Sequence, residues 1–136
     1  MNKQLPGANG IKFFQDHVWI SVTDQALMYR APLRSDGTPG ALEVVYQNLH
    51  VDDFTFGEDG ALYYTTHTLN TVGRVDPNGD RVTFGGPDQE LVGATACVFG
   101  RAAAARRLLY VTTDGGFFRP YPGTEQAARL VEIDLG

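Results

Sequence analysis

Cysteine occurs once in the 136 residues, so no disulfide can form within the chain. Cys97 sits in an apolar segment and reads as a small core residue rather than a reactive thiol, because free cysteine is among the most buried residue types. Lysine is nearly absent: the positive charge is nine Arg and two Lys scattered along the chain, against 16 Asp and Glu, for a net charge of −5. Without a basic cluster there is no footprint for nucleic acid or for an anionic membrane surface. No apolar run approaches the roughly 18 residues needed to cross a bilayer, and the first residues lack the apolar core of a signal peptide. The expectation is a soluble cytoplasmic protein, or a secreted one if a further segment precedes Met1. A Ser-His-Asp order, a glycine-rich phosphate loop and paired-cysteine spacing are also missing, which leaves nucleotide and thiolate-metal chemistry without support.

What the chain does have is a repeat. Phe13, Phe56 and Phe99 each end a short apolar run, and successive members are 43 residues apart. The same interval relates Ile11, Phe54 and Cys97, and also Asn9, Asp52 and Thr95. The three rows share one parity, so in each repeat they lie on one face of a strand. A second strand rich in aromatic and β-branched residues follows each time: Val18 to Ser21, Leu62 to Thr65, and Leu109 to Thr112. A period of this size with several short strands per repeat predicts an all-β fold, the β-propeller, with blades near 8–48, 51–86 and 94–136.

Asp-Gly and Asn-Gly turns at Asp36-Gly37, Asp59-Gly60 and Asn78-Gly79 punctuate the strands where tight hairpins need φ > 0. The reading gives strands at 10–14, 17–23, 26–31 and 43–47, then 53–56, 62–66, 72–75 and 82–84, then 95–99, 108–113 and 130–134. The insert Arg101 to Arg106 reads as a lengthened hairpin loop whose alanines favour a helical turn. Propellers close with four to eight four-stranded blades, so about three blades imply either a missing N-terminal half or a homo-oligomer, with partner surfaces on the first and third blades.

In a propeller, equivalent positions of successive blades converge around the central channel. Asn9 and Asp52 would therefore offer oxygen donors suited to a hard divalent cation, calcium first, with zinc or manganese as alternatives. A carboxylate beside such a cation can activate water or polarise a carbonyl. The competing reading of Asp52 is an Asx turn at the bend before a strand. Thr95, His67 and Asn70 are candidates for lining a small-molecule substrate pocket. Against this stand a strand-end hydroxyl satisfying backbone for Thr95 and a solvated loop histidine for His67. Asp53, of opposite parity to Asp52, reads as a structural hydrogen-bonding residue. His17 and His50 have no supporting neighbours in the sequence.

The motifs Pro6-Gly7-Ala8-Asn9-Gly10-Ile11, Val51-Asp52-Asp53-Phe54, Glu58-Asp59-Gly60-Ala61-Leu62-Tyr63, Arg74-Val75-Asp76-Pro77-Asn78-Gly79 and Ala94-Thr95-Ala96-Cys97-Val98-Phe99-Gly100, in this order, resemble the family of gluconolactonases, senescence marker protein (regucalcin) and luciferin-regenerating enzymes. The resemblance is to the C-terminal half of these six-bladed propellers. It implies a metal-dependent lactonase or esterase-like hydrolase, with one divalent cation held by a Glu, an Asn and an Asp. The family's Asn falls on Asn9 and its Asp, also the base of the lactonases, on Asp52; its Glu has no counterpart in this sequence. Two further readings stay open on the same scaffold: a non-hydrolytic condensing or cyclising enzyme of the strictosidine-synthase-like kind, and a split-propeller assembly module without catalysis.

Overall fold

The computed structural model describes residues 7–122 and 126–136, and across these the chain is built from strands and short 3-10 turns. Strands β1 (Ala8–Phe14), β2 (His17–Val22), β3 (Leu27–Pro32) and β4 (Glu43–Gln47) form an antiparallel sheet in sequence order. Strands β5 (Phe54–Phe56), β6 (Leu62–Thr65), β7 (Val72–Val75) and β8 (Arg81–Gly85) repeat that meander. A third sheet holds β9 (Ala94–Phe99), β10 (Leu108–Thr113) and β11 (Leu130–Asp134), again antiparallel in sequence order. Most strands hand to their neighbours through short connections that carry turn residues, and longer ones join β3 to β4, β9 to β10 and β10 to β11. In the β9–β10 connection Ala103–Ala105 form one 3-10 turn, and the Gly100 N–H closes the hairpin on the Leu108 carbonyl.

The chain divides into two compact units, 1–52 and 53–136. In the first, the middle strands alternate as a sheet strand must: Trp19 and Ser21 point to one face and are buried, whereas Val18 and Ile20 on the other are only half-buried. Met28, Val22, Leu49 and Val51 are also fully or nearly fully buried in this unit. The second unit contains the second and third sheets, with β9 packed against β5 and β6. Its core joins Tyr63, Val72, Leu91, Cys97, Leu109 and Val111. The Tyr63 ring meets Phe99 edge-on, with centroids 4.9 Å apart at 90°, the offset geometry that aromatic quadrupoles favour. Cys97 Sγ lies 3.5 Å from the Tyr63 carbonyl, so the thiol is a core group with a weak hydrogen bond.

One polar device recurs with the period of the sequence. In the first unit the buried Ser21 hydroxyl accepts from the Gly10 N–H at 2.8 Å and donates to the Asp52 carbonyl at 3.1 Å. In the second, the buried Thr65 hydroxyl accepts from the Asp53 N–H at 3.3 Å and donates to the Thr95 carbonyl at 3.1 Å. Gly10 and Asp53, and Asp52 and Thr95, are both 43 residues apart, so the repeat preserves the bond and not merely the apolar pattern. A hydroxyl at this place bonds two backbone groups at once, one as acceptor and one as donor.

Candidate functional site

Asn9 lies where β1 departs from regular pairing: Ala8 faces Val22, the next partners are Ile11 and Ile20, and the register shifts between them. Such an irregularity re-aims a side chain at the rim of a sheet. From it Asn9 Nδ2 donates to Asp52 Oδ1 at 2.5 Å and to Thr23 Oγ1 at 3.2 Å, while the Thr23 hydroxyl donates to the Val51 carbonyl at 2.7 Å. Asp52 is thus fixed twice, by Asn9 at its carboxylate and by Ser21 at its carbonyl. The first unit therefore brings together the amide and the carboxylate that the repeat singled out, with Asn9 exposed and Asp52 half-buried. Asp53, next in the chain, joins the ladder through its backbone, whose N–H and carbonyl both bond Thr65.

The second unit holds the remaining candidates in one network. The turn after β6 places His67 and Asn70 in left-handed backbone, φ 48° and 58°, closed by the Asn70 N–H on the His67 carbonyl at 3.0 Å. The His67 N–H donates to the Ala94 carbonyl at 2.8 Å, and Asn70 Oδ1 accepts from the Gly93 N–H at 2.7 Å. These bonds set the turn beside the start of β9, where the Thr95 hydroxyl lies 3.0 Å from that of Thr112. Asn70 is buried and Thr95 half-buried. Asn70 is therefore spent on backbone, whereas His67 reaches outward to a residue that the repeat did not indicate.

That residue is Asp114, whose Oδ2 is 2.8 Å from His67 Nε2. Burial pushes the Asp114 carboxyl up, but the bonds from His67 and from the Gly116 N–H at 2.7 Å outweigh it and hold the group below the usual carboxylate range. Gly93 makes room for the carboxylate: a Cβ there would lie 1.7 Å from Asp114 Oδ1, and its φ of 70° suits glycine. Phe118 stands edge-on to the His67 ring at 5.5 Å. A cavity of about 380 Å³, lined by Asp114, Gly115, Gly116, Phe117, Pro120 and Gln126, opens beside the pair. A second, of about 260 Å³, includes Asn70, Leu69 and Tyr121 in its wall. The sequence carries only a turn signal at Asp114-Gly115-Gly116, and no short-range spacing ties it to His67.

Among the described residues no group of three or more His, Cys, Asp or Glu side chains could hold a metal ion. Asn9 and Asp52 fit a hard cation in donor type, one amide oxygen and one carboxylate, but supply fewer than the six to eight oxygens calcium takes. No helix among the described residues is long and apolar enough to cross a membrane.

Sheets of this kind, repeated with a constant period and joined as meanders, define part of a β-propeller. The chain has the fold of the regucalcin and luciferin-regenerating-enzyme type of propeller. It superimposes on a luciferin-regenerating enzyme with TM-score 0.66 and 14% identity, covering 92% of this chain and 43% of that one. Against a calcium-binding protein, regucalcin, from Agrobacterium tumefaciens, the TM-score is 0.66 and the identity 20%, over 93% of this chain and 46% of that one. Virginiamycin B lyase from Staphylococcus aureus aligns with TM-score 0.56 and 18% identity, over 97% of this chain and 42% of that one. The chain thus spans less than half the length of these neighbours. No family model matches the sequence, and no curated protein matches it.

Proposed function

We propose that the chain carries part of the cation site of a propeller hydrolase that opens cyclic esters, in the manner of the gluconolactonases. The observation that carries this reading is the Asn9–Asp52 pair, two oxygen-bearing side chains at the same place in successive repeats and in direct contact. The likeness to regucalcin, a calcium-binding protein, supports it. Asn9 through its amide oxygen and Asp52 through its carboxylate are the groups that would hold a divalent cation, calcium first. Such a cation, when bound, supplies a Lewis acid that polarises a lactone carbonyl. Asp52 accepts the proton of the attacking water, and the bonds from Asn9 and Ser21 keep it in one orientation while it does so.

Two protein ligands bind calcium weakly, and a reacting group displaced by about 1 Å costs on the order of a hundredfold in rate. The 136-residue chain by itself is therefore expected to bind calcium measurably but to open aldonolactones at close to the buffer rate in a pH-stat. Calorimetric titration tests the site: Asp52→Asn should weaken calcium binding at least tenfold, and Asp53→Asn, of opposite parity to Asp52 on the strand, should leave it within about twofold. Equal losses, or no heat from the unaltered chain, would remove the cation reading.

A second reading rests on His67 and Asp114. A histidine held by a carboxylate, beside a cavity with Phe117 and Phe118 at its edge, is a proton acceptor that needs no cation. It suits a non-hydrolytic elimination, condensation or cyclisation, and the fold likeness to virginiamycin B lyase is in keeping with it. Activity that survives Asp52→Asn and chelation but not His67→Ala would select this reading.

A further inference from the structure

The first and third sheets each expose apolar residues whose repeat equivalents are buried. At the first end, Ile11 is 63% exposed, whereas its repeat equivalents Phe54 and Cys97 are 0% and 4% exposed. Phe13 beside it is 61% exposed, and Val18 and Ile20, their partners on β2, are half-buried. At the other end, Leu130 pairs with Thr112 as Met28 pairs with Ser21 and Val72 with Thr65. Leu130 is 70% exposed while Met28 and Val72 are both fully buried, and Val98 on the same face is exposed as well. Within the second unit, where the second and third sheets pack together, the equivalent faces with Cys97 and Val72 are buried, and a face of this kind is built to be covered.

The second unit shows what covers such a face. The third sheet's Cys97 and Phe99 are closed over by Tyr63 of the second, through the ring contact and the thiol–carbonyl contact, while Thr65 donates to the Thr95 carbonyl. The third sheet carries the same two residue types at the same two places, Tyr110 and Thr112, on the face with Leu130 and Val98. We propose that the β9–β11 sheet of one copy docks head to tail on the β1–β4 sheet of a second copy. Tyr110 covers Phe13 there as Tyr63 covers Phe99, and Thr112 donates to the Asn9 carbonyl as Thr65 does to that of Thr95.

Charge agrees with this pairing. The β1–β2 turn carries exposed Asp16, and the β9–β10 loop that would come beside it carries exposed Arg101, next to Arg106 and Arg107 that are paired with Glu58 and Asp134 of their own chain. In the second unit the corresponding loop and turn are already joined by Arg106 and Glu58 at 2.8 Å, with acid and base on opposite partners. The contact is heterologous, so it closes a ring only where each copy makes it with both surfaces.

The full chain is the material for the test. Sedimentation velocity at micromolar concentration should give a dimer. Phe13→Asp should give a monomer with an unchanged far-ultraviolet spectrum, whereas Val82→Asp, on an exposed site of β8, should leave the dimer intact. In a Cys97→Ala background, Phe13→Cys and Tyr110→Cys chains are mixed and oxidised. A disulfide joining positions 13 and 110 of different chains is expected only in the mixture, and it reads the contact even if Phe13→Asp fails to fold. A cooperatively folded monomer overturns the proposal and points to a blade of another polypeptide as the occupant. Dimers cross-linked by Phe13→Cys alone would overturn it by showing a face-to-face contact.

Discussion

At the scale of single residues the firmest polar constellation of the second unit is Asp114 with His67 and the Gly116 N–H. Its carboxyl is held below its ordinary value of 3.8, so the ionised form is the one the fold prefers. The sign follows by linkage: the stabilisation is fully present above that ordinary value and is lost as pH falls through the lower value of the folded state. Asp114→Asn should therefore cost about 1.5 to 3 kcal/mol at pH 7, the usual range for a hydrogen bond to a charged group. The deficit relative to the unaltered chain should shrink toward pH 2, and urea denaturation at the two pH values measures it. Asn9, Asp52 and Thr95 could be read from the sequence because one interval relates them. Asp114 could not, since its partner is 47 positions away and a histidine–carboxylate contact across two turns leaves no periodic trace.

Among the elements, β4 (Glu43–Gln47), β7 (Val72–Val75), β10 (Leu108–Thr113) and β11 (Leu130–Asp134) begin and end where the alternation and the turn residues place them. β1 starts at Ala8 instead of 10, because the register shift near Asn9 lets pairing with Val22 resume beyond the irregularity. β8 runs Arg81–Gly85, longer than the apolar run 82–84, since ladder bonds to β7 rather than side-chain type decide where pairing stops. Alternation reveals a strand, and hydrogen bonds made by flanking polar residues set its ends. The hydroxyl device belongs to this scale. Thr65→Val keeps the shape but leaves the Thr95 carbonyl and the Asp53 N–H short of a partner, and should cost about 1 to 3 kcal/mol. Ser21→Ala should cost a similar amount, whereas Thr112→Val, at the exposed equivalent, should cost less than about 0.5 kcal/mol in a monomeric background such as Phe13→Asp. Chemical denaturation of the three variants provides the comparison.

For the whole molecule, parity in the sequence showed that Ile11 and Phe13 share a face, but only the fold shows that this face is open while its repeats are closed. Coverage is a long-range property that no local pattern encodes. If a second copy supplies the cover, folding and association are linked, and the melting temperature should rise with protein concentration. Differential scanning calorimetry across a hundredfold concentration range would show a shift of several degrees for the unaltered chain and none for Phe13→Asp. The buried thiol of Cys97 gives a separate view of the same assembly. It is the one sulfhydryl in the sequence, it lies beneath Tyr63, and a reagent reaches it only when β9 parts from β6. Its alkylation rate is thus a built-in clock for blade separation, ticking with the opening equilibrium of that seam and requiring no engineered probe.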